Sequence, residues 1–247
     1  QIRLDAEQYI PYPLSEVNMD FEVLGPSTQN GLVRVLLAAS RSENVDQRVE
    51  TLAIGGLTTK VMDIESYAIE RTFSLMMLDN LPHNPKVVAL IDIGHKQTTL
   101  YIAKDGEFIY NREQSFGGEQ LTEAIQNHYG MSYHDATIGK HEYTLAPDYR
   151  ENVLMPFIEN VVQQISRSLQ FYFSSSEYNS VDHIVLCGGT ANLPGLVEMV
   201  QERMGGLVSI ANPFEGVSIS NRIDTTALQK DASSLLAACG LALRSFD

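Results

Sequence analysis

Apolar and polar positions along the chain predict a small α+β segment over residues 1–57. The stretches DFEVLG and GLVRVLLAAS predict two strands, and Gly25-Pro26 is a turn signal at the end of the first. The stretch SENVDQRVETLAIGG predicts a helix, because its apolar residues recur at helical spacing and two glycines follow them. The stretch TTKVMDI predicts a third strand.

The next segment, residues 58–84, predicts one helix and a linker. Apolar residues in ESYAIERTFSLMML, residues 65–78, recur at the spacing of a helix that buries one face. The stretch DNLPHNP is rich in turn-forming residues and carries two prolines, which favours a linker. We therefore place a domain boundary near residue 84.

The remainder, residues 85–247, predicts a larger α/β domain. Strands are predicted over 87–93, 98–103 and 107–111, with Asp105-Gly106 as a hairpin turn. The stretches GGEQLTEAIQNHYG and SYHDATIGKH then predict two helices. A strand, a glycine turn and a helix are predicted in VDHIVLCGGTANLPGLVEMVQERMG, a further strand in LVSIANP, and a closing helix of small residues in DASSLLAACGLALR.

Between these elements, the stretch PDYRENVLMPFIENVVQQISRSLQFYFSS predicts a long amphipathic helix. Pro156 belongs to its first turns, where a proline is tolerated. One apolar stripe is predicted to face the core, and it comprises Leu154, Ile158, Val161, Ile165, Leu169 and Tyr172.

The charge of the chain excludes several classes of function. Its 247 residues include 31 acidic and 17 basic side chains, for a net charge of −14. A nucleic-acid-binding protein would show a basic stripe, and anionic lipid would also attract basic clusters, but neither pattern is present. The sequence contains no run of 18 consecutive apolar residues, so it predicts no membrane-spanning helix.

The cysteines and histidines predict no metal site or disulfide. Cys187 and Cys239 lie in apolar runs and are interpreted as small buried side chains in a reducing compartment. His128, His134 and His141 share one polar stretch, but their spacing is not that of metal ligands, and we interpret them as surface residues.

The strand that ends in DIGHKQTT is the first candidate for chemistry. Its turn brings Asp92, Gly94 and the hydroxyl of Thr98 together, and backbone N–H groups beside a glycine can approach a phosphate closely. Asp92 at the strand end could hold magnesium through water. The alternative is a plain hairpin, in which His95 and Lys96 are merely exposed to solvent.

Two glycine pairs are the other candidates. Gly188-Gly189 follows a strand and leads into a helix, and the flat backbone of such a pair could lie against an adenine ring. Gly117-Gly118 precedes another helix. Either pair could instead serve only helix entry or close packing, and Glu119 is equally well explained as an acid favoured by the helix dipole.

The order of these motifs resembles the second half of the actin/Hsp70/sugar-kinase superfamily. In this resemblance DIGHKQT corresponds to the second phosphate loop, FGGEQLT to the segment near the ribose, and LCGGTANLPG to the adenosine motif. The resemblance implies an ATP site with magnesium held by Asp92 through water. The implied nucleotide-binding residues are Asp92, Gly94, His95, Lys96, Gln97, Thr98, Gly117, Gly118, Glu119, Gly188, Gly189, Thr190, Asn192 and Leu193.

The first 80 residues and the final GLALR resemble the PilM family, the actin-like proteins of the bacterial type IV pilus machinery, in the FtsA-like branch of the superfamily. This implies an α/β, actin-like (ribonuclease H-like) ATPase-domain fold with an FtsA-type small α/β subdomain. That subdomain would be residues 1–57. Residues 58–84 would be a remnant of the first large subdomain with its connecting helix, and residues 85–247 the second actin-like domain, with an insert at about 116–178.

The resemblance also implies partners and a location. PilM-like proteins dock the cytoplasmic N-terminal tail of the membrane protein PilN, in a groove that residues 1–80 would help to form. Other proteins of the pilus motor complex are further expected partners, and nucleic acid is not. The expected location is the cytoplasm, at the inner membrane only through partners.

One part of the family pattern is expected before residue 1. The first phosphate loop of the family precedes the segment seen here, and the opening residues are typical of the end of a helix. We therefore expect this chain to be a fragment that lacks the N-terminal portion. ATP and magnesium are expected in the full-length protein, and we predict that this chain alone binds ATP weakly or not at all.

Two other functions remain open at this stage. One is an ATPase or phosphotransferase, which would need a general base; Glu65 and Glu70 lie on the predicted connecting helix, but nothing marks either as that base. The other is a filament-forming protein like actin, and no sequence pattern shows the self-complementary surface that this needs.

Overall fold

The structure is a computed structural model that describes residues 2–27, 31–142 and 144–245. The chain forms two compact units, residues 1–63 and residues 64–247. The boundaries predicted from the sequence, after residues 57 and 84 and around the insert at 116–178, stay predictions.

Unit 1 contains a two-stranded antiparallel sheet and two helices. Helix α1 spans Ile2–Ala6, strand β1 Val17–Pro26, strand β2 Val33–Arg41 and helix α2 Ser42–Ile54, and a single 3-10 turn covers Leu14–Glu16. The two predicted strands and the predicted helix are confirmed. Strand β1 continues through the predicted turn signal because its register shifts between Val23 and Gly25, and Gly25 takes a φ of +125° that accommodates the bulge.

The predicted third strand of this segment is wrong. Residues 57–64 form no strand, and the sheet in the described part of unit 1 has the order β1-β2. Apolar alternation gives a segment strand propensity, but a strand also needs a neighbour for its backbone N–H and C=O groups. None of the described strands pairs with residues 57–64.

Unit 2 is built on a five-stranded mixed sheet of order β5-β4-β3-β6-β7. Strands β3 (Val87–Ile93), β4 (Thr98–Lys104) and β5 (Glu107–Gln114) form antiparallel hairpins, as predicted. Strands β6 (His183–Cys187) and β7 (Leu207–Ile210) lie parallel to β3. The carboxyl ends of β3 and β6 therefore lie side by side.

The helices of unit 2 follow the predicted pattern with local differences. They are α3 (Glu65–Thr72), α4 (Gly118–Tyr129), α5 (Tyr133–Glu142), α6 (Met155–Ser175), α7 (Leu196–Met204), α8 (Thr225–Asp231) and α9 (Leu236–Ala242). The helices predicted over residues 65–78 and in PDYRENVLMPFIENVVQQISRSLQFYFSS are confirmed, but part of each is π-helical. The π-helical turn Phe73–Met77 follows α3, and the π-helical turn Arg150–Leu154 precedes α6. Helix α8 was not predicted; the Asp224 side chain caps it by accepting from two backbone N–H groups.

Two apolar cores lie on opposite faces of this sheet. One core packs α4, α6 and α7 on the sheet, and the whole predicted stripe of the long helix is buried there. The other core packs the sheet against α3 and α9, with Phe73 and Leu236 at its centre. Each face of the sheet is thus covered by helices, which explains why β3 and β6 are apolar almost throughout.

Strand β5 contributes to both cores because of a bulge. Tyr110 lies opposite Ile102, whereas Phe108 lies opposite Ala103, so Ile109 is an extra residue in the ladder. Phe108 stacks on Tyr101 in the α3 core, with ring centroids 4.8 Å apart. Tyr110 packs in the α6 core.

Candidate functional site

The turn after β3 is held in shape by its own backbone. Asp92 lies opposite Cys187 in the parallel register, so the turn begins at the edge where β3 and β6 both end. The N–H of Gly94 donates to the carbonyl of Gln97 at 2.9 Å. Ligands in open α/β sheets bind at such an edge, outside the carboxyl ends of the strands.

The second predicted motif joins this turn directly. Thr190 donates from its backbone N–H to the carbonyl of Ile93 at 3.0 Å, and from its hydroxyl to the carbonyl of Gly94 at 3.1 Å. Two stretches that are 96 residues apart in sequence are therefore fixed to each other. The strand-Asp-x-Gly and strand-Gly-Gly-Thr motifs therefore lie in contact with each other.

The start of helix α4 completes the junction. The N–H groups of Gly118 and Glu119 donate to the carbonyls of Gly94 and His95, at 2.9 and 2.7 Å. A Cβ on Gly117 would stand 2.6 Å from both of those carbonyl oxygens, so this position requires glycine. These two helix N–H groups are occupied within the protein and do not point freely at a ligand.

Gly188 and Gly189 serve different purposes although they are neighbours. Gly188 has a φ of +87°, and a Cβ there would stand 2.5 Å from the carbonyl oxygen of Ile93. Its N–H donates to the carbonyl of Ser233 at 2.8 Å. A Cβ on Gly189 would meet no atom within 4 Å. Gly188 is required by packing, and Gly189 presents an open backbone.

That open backbone lines a cavity of about 690 Å³. Six of the predicted residues line it, namely His95, Gly118, Gly189, Thr190, Asn192 and Leu193. Six further lining residues were not predicted from the sequence, namely Leu121, Lys140, His141, Lys230, Asp231 and Ser234. They come from α4, α5 and the segment around α8, and sequence patterns could not show that these elements converge.

The other predicted residues lie behind or beside the cavity. Thr98 is buried, and its hydroxyl donates to the carbonyl of Phe116 at 2.6 Å. Lys96 is exposed, and its ammonium lies 3.8 Å from a carboxylate oxygen of the partly buried Glu119. Outside the cavity lining are Asp92, Gly94, Lys96, Gln97, Thr98, Gly117, Glu119 and Gly188. Whether any of the predicted residues contacts nucleotide stays a prediction.

The cavity is positively charged in a chain of net charge −14. Lys140 is half-buried, its ammonium donates to the Gly118 carbonyl at 3.1 Å and to the Thr122 hydroxyl at 2.8 Å, and burial lowers its pKa. Burial, followed by the charges of Lys140, Lys230 and His95, lowers the pKa of His141. Asp231 is the one acidic residue among the described lining residues. This arrangement suits an anionic ligand.

Asp92 lies in an acidic environment at the edge of the sheet. Burial, and then the nearby charge of Glu65 at the start of α3, raise the pKa of Asp92 to about 6. Within the described residues, no three His, Cys, Asp or Glu side chains converge to hold a metal ion. Asp92 suits the predicted role of binding magnesium through water, since a cation would offset the repulsion between the two carboxylates.

Comparison with known proteins gives one family and one fold. The family model described as "Type IV pilus assembly protein PilM" matches residues 1–246. A chain of the solved "PilM-PilN type IV pilus biogenesis complex" is similar, with a TM-score of 0.79 and 29% identity, over 98% of this chain and 70% of that chain. MreB5 of Spiroplasma citri, solved bound to AMPPNP, matches with a TM-score of 0.51 and 14% identity, over 82% of this chain and 64% of that chain. The predicted actin-like fold is confirmed.

A similar protein of known name fits the FtsA-like branch of the superfamily. The cell division protein FtsA of Bacillus subtilis is 25% identical over 151 residues, which are 51% of this chain and 34% of that protein. The chain thus spans about a third of that relative.

Proposed function

Because the chain belongs to the family of type IV pilus assembly proteins PilM, we propose that it serves the pilus machinery as a nucleotide-binding scaffold, with ATP in the 690 Å³ cavity. The observation that carries this proposal is the junction of the 94–97 turn, the 188–190 turn and helix α4 around a cavity lined by cationic residues. Six of the predicted residues and six further residues line this cavity.

Different residues would contact the adenine ring, the phosphates and the magnesium ion of ATP. Gly189 leaves room for a planar ring, because nothing would lie within 4 Å of a Cβ there. Lys140 and Lys230 supply positive charge that favours phosphates. Asp92 would take magnesium through water, and the ion supplies the charge that lets this buried carboxylate stay ionised beside Glu65.

The test of the nucleotide site is a calorimetric titration of ATP with magnesium. In the full-length parent protein, Lys140→Ala is expected to weaken binding about tenfold or more, because it removes a positive charge from the cavity. Arg222→Ala changes an exposed residue outside the cavity and is the matched control. Unchanged affinity in the Lys140 variant would contradict the proposal.

The same titration on this chain alone tests the expectation of weak binding. If half of the phosphate cradle precedes residue 1, the chain binds ATP far more weakly than the parent protein does. Equal affinity in the two proteins would show that the cavity described here is sufficient.

We propose that the partner is the cytoplasmic N-terminal tail of PilN. This is supported by the 29% identity to a chain of the solved PilM-PilN complex. It is also supported by unit 1, where Phe21, Val23 and Leu24 of β1 are exposed although apolar. Fluorescence anisotropy with a labelled peptide of that tail, beside a scrambled peptide, tests the interaction; equal binding of both peptides would refute it.

The proposed location is the cytoplasmic side of the inner membrane, with attachment through such partners. No helix within the described residues is long and apolar enough to cross a membrane. Cell fractionation with and without PilN distinguishes attachment through the partner, in which removal of PilN releases the protein, from direct attachment.

We propose at most slow ATP turnover. Phosphate release by the full-length protein, with and without Asp92→Ala, is the measurement that separates a scaffold from an enzyme. Robust turnover that the substitution abolishes would favour the enzyme instead.

A further inference from the structure

A groove on unit 2 lies apart from the proposed nucleotide cavity. It consists of two neighbouring cavities of about 500 and 570 Å³ that share Pro156 and Asn160. Both follow the solvent-facing side of α6 and the π-helical turn before it. None of their lining residues lines the 690 Å³ cavity. We call this surface, from Val153 to Gln170, the α6 groove.

One end of the α6 groove has an aromatic floor. Phe116 and Phe157 stack there with ring centroids 5.6 Å apart and an angle of 15° between the rings, beside the buried Val153. Gln120 and Asn127 also line this end, and the side-chain carbonyl of Gln120 already accepts from the Gly117 N–H at 2.7 Å. An apolar floor with amide groups is the chemistry that binds an apolar side chain together with the peptide backbone around it.

The other end is basic. Arg167 of α6 and Arg203 of α7 both line it, both are exposed, and neither forms an ion pair with a carboxylate among the described residues. Gln163 and Gln170 flank them with further amide groups. These two arginines give this end a local positive charge on a chain whose net charge is −14.

The acidic residues near the groove form no ion pair with either arginine within the described residues. Glu159 is the one acidic lining residue in the described chain, and it lies eight helical positions before Arg167, which corresponds to about 12 Å along the axis. Asp148 lies beyond the aromatic end, where it accepts hydrogen bonds from His128 and Asn152. The arginines therefore remain available to carboxylates from outside.

We propose that the α6 groove binds an extended acidic segment of a partner protein. An apolar residue of that segment lies over Phe116 and Phe157, and its carboxylates pair with Arg167 and Arg203, whose planar guanidinium groups suit bidentate pairing. The 18 residues from Val153 to Gln170 span about 26 Å along the helix axis, which matches about eight residues of extended peptide. The residues that line this groove include neither those that line the nucleotide cavity nor the apolar residues of β1 proposed for the PilN tail.

The test selects peptides on the full chain from a phage-displayed library of random twelve-residue peptides. Selected peptides are expected to combine Asp or Glu with an aromatic or large aliphatic residue. In fluorescence anisotropy, the double variant R167E/R203E is expected to bind them at least tenfold more weakly, because repulsion replaces attraction. Added salt is expected to weaken the wild-type complex.

Matched variants separate this interaction from changes in folding. Arg222→Glu makes the same charge change on an exposed residue outside the groove and is expected to leave peptide affinity unchanged. Asn160→Trp fills the point where the two cavities meet and is expected to block the same peptides without a change of charge. Circular dichroism melting of each variant confirms that it folds.

Several outcomes would overturn the proposal. Selected peptides without acidic residues, or acidic peptides that bind R167E/R203E as tightly as the wild type, would exclude the groove as their site. If R167E/R203E instead dissociates a self-associated form in analytical ultracentrifugation, the groove is an interface between copies of this chain. If it instead abolishes binding to vesicles of anionic lipid, the arginines serve a membrane surface.

Discussion

At the scale of single residues, the two glycines after β6 provide a matched experiment. Gly188→Ala places a Cβ against the Ile93 carbonyl at a φ of +87°, and it is expected to destabilise the protein by on the order of 3 kcal/mol. Gly189→Ala meets no neighbouring atom and is expected to change stability by less than about 0.5 kcal/mol. Urea unfolding of both variants measures the difference; similar losses would contradict these assignments.

The partly buried carboxylate of Asp92 predicts a dependence of stability on pH. Its pKa is raised to about 6 in the folded protein from an ordinary 3.8, so between these values the unfolded chain releases a proton that the folded chain retains. The free energy of unfolding therefore falls as pH rises from about 4 to about 6. Asp92→Asn removes this effect and is expected to be more stable than the wild type at pH 7.5 by on the order of 2 kcal/mol.

Urea unfolding at several pH values, without magnesium, measures this effect. The stability gained through Asp92→Asn should shrink as the pH is lowered from 7.5 towards 4. Asp79→Asn changes an exposed carboxylate and serves as the control. A gain that is the same at every pH would show that Asp92 has an ordinary pKa.

Residues of the candidate site were predictable to the extent that chemistry leaves a local motif. Gly188, Gly189 and Thr190 could be singled out because a glycine pair between a strand and a helix is a local pattern, although the pattern alone did not separate ligand binding from close packing. Lys140 gives no such signal, since a lysine within a polar helix is common and only the packing of α5 against α4 brings its ammonium to the Gly118 carbonyl.

At the scale of elements, the crossing of α3 and α9 predicts a sensitive position. A Cβ on Gly240 would overlap the carbonyl of Ala68, and Arg71 donates to the Gly240 carbonyl at 2.6 Å. Gly240→Ala forces the two helices apart and is expected to lower the free energy of unfolding by on the order of 3 kcal/mol. Thermal unfolding measures this loss.

Ala238, two residues before Gly240, provides the control for this substitution. Ala238 is exposed on the same helix, and Ala238→Ser is expected to cost about 0.5 kcal/mol or less, mainly through helix propensity. If Gly240→Ala were equally mild, the helices would have to accommodate the methyl group by a shift, and the close crossing would not be required for stability.

Elements were predicted well where periodicity extends over several turns, as in the apolar stripe of the long helix. The wrong strand at residues 58–64 shows the limit, because its apolar pattern could not supply a pairing partner. The π-helical turn Arg150–Leu154 was equally invisible, since one extra residue in a turn barely alters an apolar stripe.

At the scale of the whole molecule, the two compact units differ in how much core they contain. Ala6 is the only fully buried apolar side chain among the described residues of unit 1, whereas unit 2 has two apolar cores. A segment of about 60 residues without a core cannot offset its loss of conformational entropy. Unit 1 therefore depends on further contacts for its stability.

Separate expression of the two units tests this difference. Residues 64–245 are expected to unfold cooperatively in urea, and residues 2–63 are expected to show no cooperative transition. The full chain, measured in parallel, gives the reference signal. A sigmoidal transition for residues 2–63 alone would show that the two-stranded sheet and its two helices form a stable unit by themselves.

The bulge in β5 has a consequence for how this edge of the sheet is held. In a regular strand Phe108 and Tyr110 would point to the same side, but the extra residue Ile109 sends one ring to each core. Aromatic side chains of β5 thus pack on both faces of the sheet. Any slip along β4 would have to withdraw both rings at once, so an outermost strand acquires the fixed register of an interior one.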